Sequence, residues 1–599
     1  MSDTTGLIIK SSPPSIPSSS PTSPGRSLPW HWHKLAPAEV ASAGEWGDGS
    51  PGWQAWRQHL TERKLPRPLT ALLNTKPAPL LWALPHGDAE DLIEIVSPPG
   101  KKAARRQRLA EELPSWLAEA AGAPCDPIHA LECIAWCHAL PDLAAYATAD
   151  AWWGMLAHLV SLTSETAGPD AARDPLTWQL LAGELPLTLA YLFPELKNCR
   201  RLADPAREAL SAGMAELLDG EGCPKFDHLP LLQPLLATWT RSRAMGARLK
   251  DGCWNELAEA QFPKLVRQAL RLTHRNGSQT FGPLDDDSVD TSLLATSAML
   301  SGDRRLRQLV RGKLPKKADT TVAMRSEWAE LALLRASWSP RSPRLAIGHS
   351  QRQLHLELEV DGVVLLAGRC DPELRFNGHE LTPSSNWRQV RWMSDEDVDC
   401  LELEMSFAGL TLQRQLLLAR EDRFLLVADM VQAPEPGRIE LASRFPLAAG
   451  TAFEPAAETW EASLTGAKAT LRALPLALPE WRSDPLTPGS LALEGDALCL
   501  RHTAVGVSAC YAPLFFDLDA RRHAKPLTWR RLTVGEVRQT QPLDVAAAYR
   551  AQIGKRQWAV YRSLNGIANR TVLGHHTFSQ CVVGRFTNEG LVEPLFEYE

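Results

Sequence analysis

The residue best suited to proton transfer in this 599-residue chain is His228, in the segment KFDHLP. Asp227 precedes it and Lys225 lies nearby, and a histidine beside a carboxylate can act as a general base near neutral pH. The alternative interpretation is structural, with Asp227 as the N-cap of a helix and His228 on the surface. The sequence leaves both interpretations open.

Two further candidates for catalysis, Glu184 and Tyr191, lie seven residues apart in GELPLTLAYLFPE. They share one face of a helix if Pro186 does not break it. In the alternative interpretation Glu184 lies in a loop at the start of the helix, and both residues serve packing and capping.

A third group, in ATWTRSRAMG, has residue types that bind acidic sugars. Trp239 could stack on a sugar ring while Arg241 binds a carboxylate through two parallel hydrogen bonds, with Arg243 beside it as a further substrate-binding residue. The simpler alternative is a pair of solvated arginines near the end of a helix.

The sequence contains no CxxC motif and no paired cysteine–histidine pattern of the zinc type. Cys133 and Cys137 lie one helical turn apart and are predicted to share an apolar face, with His138 as an ordinary neighbour. The acidic run Asp285–Asp287 lacks the spacing and the closing glutamate of a calcium-binding EF-hand, which favours a loop that ends at a helix N-cap. We therefore predict no metal and no cofactor.

The elements that must position these residues are helices in the first half of the chain. From about Leu28 to Leu314 the apolar residues recur at spacings of three and four, as on one face of a helix. Asp174-Pro175 and Asp204-Pro205 are predicted N-caps followed by a proline in the first turn. The pattern is clearest in four segments, 106–122, 126–147, 151–166 and 254–277.

After about Lys317 the period changes to the alternation that is typical of strands. Hairpin turns are predicted at Asp361-Gly362, near Ala408-Gly409 and at Glu421-Asp422. Short strands with frequent turns indicate an antiparallel β-sandwich. We predict a disordered Ser/Pro-rich leader at 1–27, an α-helical domain at 28–318 and a β-sandwich domain at 325–599.

Charge and composition exclude several classes of function. The net charge of −6 and a pI near 6.3 give no reason to expect nucleic acid or an anionic membrane as a partner. No stretch approaches the roughly 20 apolar residues of a membrane span, and the leader lacks the apolar run of a signal peptide. As written, the sequence predicts a cytoplasmic protein, of unknown oligomeric state. It has no GxSxG, P-loop or dinucleotide-binding motif.

A long helical half joined to an all-β half resembles the heparinase II/III-like family of toroid-plus-sandwich polysaccharide lyases. The stretches that carry the resemblance are QLLAGELPLTLAYLFPE, then Asp219-Gly220 followed by PKFDHLPLLQPLLATWTRSRAMG, and GHSQRQLHLELEVDGVVLLAG. The resemblance implies an incomplete (α/α) toroid of helix hairpins followed by an antiparallel β-sandwich. It also implies β-elimination at a uronic acid linkage, and it makes His349 and His355 candidates for the family's β-domain histidine, with His355 as a possible substrate contact.

The chain departs from the family at two catalytic positions. It reads Leu176-Thr177-Trp178 where the family has an Asn-His pair, and Asp227-His228 where the family has Tyr-His. It therefore resembles a degenerate member that acts on or binds an acidic polysaccharide. The open hypotheses are an active lyase, a non-catalytic relative that binds glycan or protein, and a toroid-type glycoside hydrolase with Glu184 and Asp227 as its two carboxylates.

One geometric expectation separates catalysis from binding. Elimination needs a group that stabilises the substrate carboxylate and a separate proton carrier in one cleft, and the helical half offers Arg241 and His228. Thirteen residues advance about 20 Å along a continuous helix. We therefore expect the two side chains not to meet if Leu231 to Arg241 is one straight helix, and binding is then the better hypothesis.

Overall fold

The computed structural model describes residues 30–63, 66–84, 90–96, 101–120, 122–123, 126–165, 174–282, 291–312, 322–587 and 589–599. The predicted leader at 1–27, the acidic run Asp285–Asp287 and most of the predicted domain boundary lie outside the described residues. Within the described ranges no helix is both long enough and apolar enough to span a membrane.

The first half of the described chain is helical. Its α-helices are α1 (Ala38–Ala41), α2 (Pro51–Glu62), α3 (Leu69–Leu73), α4 (Glu90–Val96), α5 (Lys102–Ala120), α6 (Pro127–Leu143), α7 (Ala149–Glu165), α8 (Pro175–Trp178), α9 (Leu185–Leu192), α10 (Lys197–Arg200), α11 (Ala203–Leu217), α12 (Leu232–Gly246), α13 (Glu256–Arg271), α14 (Ser292–Leu300) and α15 (Arg304–Val310). A π-helical segment, Gln179–Glu184, joins α8 to α9, and 3₁₀ turns occupy Pro79–Leu81 and Phe226–Leu231.

Local sequence sets where these helices begin. The side chains of Asp126, Asp174 and Asn255 each accept a hydrogen bond from a backbone N–H in the first turn of the helix that follows. The N-cap predicted at Asp174 is confirmed. The N-cap predicted at Asp204 is wrong, because α11 already begins at Ala203 and Asp204 lies in its first turn. A carboxylate in that place still favours the helix through the helix dipole.

The second half of the described chain is built from antiparallel strands. They are β1 (Met324–Ser326), β2 (Leu331–Arg335), β3 (Arg344–Gly348), β4 (His355–Val360), β5 (Val363–Arg369), β6 (Pro372–Phe376), β7 (His379–Leu381), β8 (Arg388–Ser394), β9 (Val398–Phe407), β10 (Leu410–Ala419), β11 (Phe424–Pro446), β12 (Ala452–Pro455), β13 (Ala462–Thr465), β14 (Thr470–Pro475), β15 (Gly489–Glu494), β16 (Ala497–Asp517), β17 (Leu527–Leu532), β18 (Val534–Glu536), β19 (Gln539–Thr540), β20 (Ala546–Ile553), β21 (Arg556–Ser563), β22 (Arg570–Val572), β23 (His575–Thr577), β24 (Cys581–Phe586) and β25 (Val592–Tyr598).

These strands form three stacked layers. The first sheet holds β1 to β5, the central sheet holds the eleven strands β6 to β16, and the third holds β17, β20, β21, β24 and β25, with a small sheet of β18, β19, β22 and β23 beside it. Both faces of the central sheet are covered, so neighbouring residues of β10 enter different cores. Leu416 packs toward the first sheet with Leu358, and Leu417 packs toward the third with Trp558.

The first sheet joins the two halves of the molecule. Along β2, Leu331 and Leu333 belong to the helical core. The alternate residues Ala332 and Leu334 belong to the core shared with the central sheet. Because successive strand residues point to opposite faces, this one sheet is covered by helices on one side and by strands on the other.

The predicted fold class, a helical half followed by an antiparallel sandwich, is confirmed. The turn at Asp361-Gly362 joins β4 to β5 with positive φ at both residues, as a type I′ hairpin requires. The turns at Ala408-Gly409 and around Glu421-Asp422 join β9 to β10 and β10 to β11, as predicted. The last described helix ends at Val310, and the first strand begins at Met324.

Candidate functional site

The 3₁₀ turn Phe226–Leu231 docks the helical half onto the first sheet, and we call this contact the junction. The Phe226 N–H donates to the Ala329 carbonyl over 2.8 Å. Ser350 Oγ donates to Asp227 Oδ2 over 3.1 Å. Two residues of one short turn are thus oriented by backbone and side-chain contacts to the sandwich.

A glycine allows this close approach. The ring of Phe226 lies directly on the backbone of Gly348 in β3, and a Cβ at that position would overlap the ring. Phe226 also packs edge-to-face on Phe281, with ring centroids 5.3 Å apart. The junction is therefore a packed contact and not a solvent-filled cleft at this point.

His228 lies half-buried at the junction. Its backbone N–H donates to the Lys225 carbonyl over 2.9 Å, which closes the turn. Its Nδ1 is buried and has no hydrogen-bond partner in the described part of the chain. The N-cap interpretation of Asp227 is wrong, because the turn begins at Phe226 and the Asp227 carboxylate is held by Ser350 across the junction.

Two histidines approach from the sandwich side. His355 begins β4, and its ring centroid lies 5.3 Å from that of Phe226. Burial lowers the pKa of His355, partly opposed by the nearby carboxylate of Asp371. His349 is buried, and burial lowers its pKa to about 4. Burial therefore favours the neutral form of both imidazoles, which is the state that accepts a proton.

Lys225 and Trp328 form the exposed edge of the junction. The Lys225 ammonium lies 5.0 Å from the centroid of the Trp328 ring, and 43% of Trp328 is exposed. In the described ranges Lys225 has no ion pair with a carboxylate. The edge therefore presents an aromatic ring and a cation side by side. The sequence interpretation included Lys225 but missed Trp328, since nothing in the local sequence distinguishes an exposed tryptophan from the many buried ones.

Arg241 and Glu184 form a buried ion pair inside the helical half. Arg241 donates two hydrogen bonds to the Glu184 carboxylate, of 2.6 and 2.8 Å, and a third of 3.2 Å to the Pro79 carbonyl. Their side chains are 2% and 0% exposed. Burial raises the pKa of Glu184, and Arg241 opposes that rise. The predicted role of Arg241 in binding a substrate carboxylate is opposed by this geometry, because its guanidinium is already paired with Glu184.

Trp239 and Arg243 also have structural partners. Trp239 is fully buried, and its Nε1 donates to Gln179 Oε1 over 2.7 Å, so it cannot stack on a sugar. Arg243 pairs with Glu259 of α13 and lies over the ring of Trp254. The predicted sugar stacking by Trp239 is therefore wrong, and Arg243 braces α12 against α13.

Tyr191 lies on another side of the helical half. Its hydroxyl donates to the Arg67 carbonyl over 3.1 Å, and burial raises its pKa. The residue lines a cavity of about 700 Å³ together with Arg200, Arg207 and Arg248. The helix does continue through Pro186, but Glu184 and Tyr191 contact different parts of the chain. The structure thus does not bring Glu184, Tyr191 and His228 into one described cavity.

A buried charged cluster fixes a second contact between the two halves. His274 Nε2 lies 2.9 Å from Glu357 and its Nδ1 lies 3.0 Å from Glu359, while Arg344 pairs with both carboxylates. Burial opposes a charge on His274, but the hydrogen bonds to Glu357 and Glu359 outweigh it and raise its pKa. The N–H of Phe281 donates to Glu357 over 2.8 Å, so the loop after α13 is anchored to β4.

Comparisons with known proteins agree with this architecture. No protein-family model and no curated protein matches the chain. Among solved structures, the heparan sulfate lyase HepC from Pedobacter heparinus has a TM-score of 0.56 at 12% identity, over 86% of this chain and 95% of its own. A heparinase III gene product has a TM-score of 0.58 at 9% identity, over 86% and 95%. The chain therefore has the toroid-plus-sandwich fold of these lyases.

Proposed function

We propose that the protein binds an acidic polysaccharide at the junction, without cleaving it through the Arg241 and His228 pair. The observation that carries the proposal is the exposed Trp328 with Lys225 beside it. An aromatic face stacks on a sugar ring, and an ammonium group attracts a carboxylate or a sulfate. His228, in the same turn as Lys225, and His355, which contacts Phe226 of that turn, add hydrogen-bonding groups to the junction. Solved proteins of similar fold include a heparan sulfate lyase, which supports an acidic glycan as the ligand class.

Binding is favoured over elimination because Arg241, the charge-stabilising group that the sequence offered, has its guanidinium in an ion pair away from the junction. Arg241 forms an ion pair with Glu184 inside the helical half. Between His228 and Arg241 the chain runs through one continuous helix, α12, from Leu232 to Gly246. The same burial argues against the hydrolase hypothesis, since Glu184 has no exposed surface and Asp227 is held by Ser350 at the junction.

The binding proposal is tested by affinity for heparan sulfate, chondroitin sulfate, alginate and pectate, with dextran as the neutral control. We expect Lys225→Ala and Trp328→Ala each to weaken binding of the best ligand by about 10-fold, since one stacking or charged contact contributes about 1–2 kcal/mol. Trp481→Ala and Lys468→Ala remove exposed residues of the same types elsewhere in the sandwich and should leave affinity unchanged. Equal affinity in all four variants would exclude the junction as the binding site.

A second candidate function, β-elimination at the junction itself, is favoured by the two histidines in the elements that meet there. His228 has an unpartnered buried Nδ1 within the described chain, and burial lowers the pKa of His355, which favours its neutral form. In this scheme one histidine takes the proton at C5 and the other protonates the leaving oxygen. The test is near-ultraviolet absorbance of an unsaturated uronate during incubation with the same polyanions. If the unaltered protein produces this absorbance and His228→Ala abolishes it, the protein is a lyase. If the unaltered protein produces no absorbance, binding without cleavage is the remaining function.

A further inference from the structure

Three metal-ligating side chains meet in the helical half, outside the junction. His129 and Cys133 lie one turn apart on α6, and His158 comes from the neighbouring α7. One donor atom from each side chain, two ring nitrogens and the thiol sulfur, all lie within 4.8 Å of one another. From this arrangement we infer that the chain has a Zn²⁺ site between α6 and α7.

The spacing within α6 already suits a shared metal ion. His129 Nε2 lies 3.7 Å from Cys133 Sγ. On a tetrahedral zinc ion, with bonds of about 2.0–2.1 Å to nitrogen and about 2.3 Å to sulfur, these two atoms stand about 3.6 Å apart. Residues four apart lie on the same face of a helix, so the backbone of α6 fixes this pair. The third donor atom, on the His158 ring, lies within 4.8 Å of both.

The surroundings hold the two imidazole rings in place. His129 Nδ1 lies 3.6 Å from Glu132 Oε2, on the side of the ring away from Cys133. A carboxylate on the second ring nitrogen is the usual partner of a zinc-bound histidine, because it fixes the tautomer that leaves the other nitrogen to bind metal. Trp116 of α5 stacks on His129 at 14° and meets His158 edge-on at 77°.

The chemistry of the donors selects the ion. One thiolate with two imidazoles suits Zn²⁺, whereas Mg²⁺ and Ca²⁺ require oxygen ligands. The charges also balance, since a thiolate and the Glu132 carboxylate together offset the two charges of zinc. Cys133 is fully buried and His158 is half-buried. Because the ligands come from two helices, a bound ion would tie α6 to α7.

The signal for this site was partly visible in the sequence. In the segment HALEC, His129 and Cys133 lie four residues apart. The sequence interpretation considered only the next such pair along the helix, Cys133 and Cys137. Cys137 is as buried as Cys133 but does not belong to the group of metal-ligating side chains. His158 lies 25 positions beyond Cys133 on another helix, so only the packing of α7 on α6 brings it to the pair.

The test uses the full chain, freed of metal with a chelator and then titrated with Zn²⁺ against a chromogenic competitor. We expect about one tightly bound Zn²⁺ per chain. Cys133→Ser and His158→Ala should abolish this binding, and Glu132→Gln should weaken it by about 10-fold, as loss of an outer partner does. Cys137→Ser, a buried cysteine on the same helix, is the matched control and should bind zinc as the unaltered protein does.

Cobalt gives a readout that does not depend on the folding of any variant. Co²⁺ bound to the unaltered protein should show the near-ultraviolet charge-transfer band of a thiolate ligand. Added Zn²⁺ should displace the Co²⁺ and remove the band. Absence of that band, or the absence of stoichiometric zinc, would overturn the proposal. Unchanged zinc affinity in Cys133→Ser and His158→Ala variants with native circular dichroism would overturn it as well.

Discussion

At the scale of single residues, the Arg241 and Glu184 pair shows what a sequence pattern leaves undetermined. A glutamate, a tryptophan and an arginine are the residue types of both a sugar-binding cleft and a polar network inside a helical core. The sequence gives the spacing of Arg241 along α12 but not the direction in which it points. Only the neighbouring π-helical segment, which carries Glu184, decides that the arginine faces inward.

The first prediction concerns the free energy of unfolding. Arg241→Met leaves the Glu184 carboxylate buried without its partner, and we expect it to lower stability by about 3–5 kcal/mol in urea denaturation. Arg243→Met breaks the pair with Glu259, whose side chains are 25% and 47% exposed, and should cost no more than about 1 kcal/mol.

A double variant separates structure from binding. Arg241→Met combined with Glu184→Leu replaces the ion pair by apolar groups and should recover most of the lost stability. Under the proposed function its affinity for an acidic polysaccharide should equal that of the unaltered protein. A folded double variant that no longer binds glycan would show that Arg241 does contact the ligand.

The second prediction is a pH dependence at His274. Its pKa in the folded protein is raised above the ordinary value of 6.5, so folding favours its protonated form. The resulting stabilisation is complete below pH 6.5 and is lost as the pH rises through the raised folded pKa. The stability difference between the unaltered protein and His274→Gln should therefore be larger at pH 6 than at pH 9. The measurement is urea denaturation of both proteins at each pH. A stability difference that grows with pH would contradict a raised pKa of His274 in the folded protein.

At the scale of elements, the π-helical segment Gln179–Glu184 positions the polar network. The ring of a proline crowds the backbone carbonyl four residues before it. The π-helical segment, whose turn is wider, contains the residue that the ring of Pro186 would crowd. The sequence predicts a helix here, and the structure has one, but periodicity of 3.6 residues does not reveal a π turn. Because a π turn changes the number of residues per turn, the sequence spacing of Glu184 and Tyr191 does not by itself determine whether they share a helix face.

The third prediction concerns the packing of α11 on this segment. A Cβ at Gly213 would overlap the side-chain amide of Gln179, which bonds Trp239. We expect Gly213→Ala to lower the free energy of unfolding by about 1–3 kcal/mol, because overpacking outweighs the roughly 1 kcal/mol that alanine adds to a helix.

Gly220→Ala serves as the control for that measurement. A Cβ at Gly220 has no atom within 4 Å. Its effect should stay within about 0.5 kcal/mol, as for other surface substitutions. Increased stability in Gly213→Ala would mean that Gln179 has room to move and that the network is looser than its contacts indicate.

At the scale of the whole molecule, the order of helices and strands was predictable, and the way they stack was not. Apolar periods of three to four and of two residues are local properties, so the two halves follow from the sequence. The three layers of the sandwich depend on the pairing of β11 with β16 across some fifty intervening residues. The junction likewise joins Phe226 to residues of β3 and β4, more than a hundred positions later.

The fourth prediction tests the junction as a mechanical link between the halves. Gly348→Ala would push the Phe226 ring away from β3. We expect the calorimetric unfolding of the two halves to separate, and the affinity for acidic polysaccharide to fall. Gly535→Ala, in a strand of the sandwich where a Cβ meets only one atom at 3.8 Å, should change neither. A single unchanged transition in Gly348→Ala would show that the Phe226 contact is not what couples the two halves.

The shared first sheet also sets an order of events during synthesis of the chain. The helices leave the ribosome first, with the apolar surface that later contacts Leu331 and Leu333 still uncovered. The sheet that covers it is itself stable only when β9, β10, β11 and β16 pack on its other face. Translation from Met324 to Asp517 takes on the order of 10–40 s at about 5–20 residues per second. For that interval we expect the nascent helical half to be a substrate for chaperones.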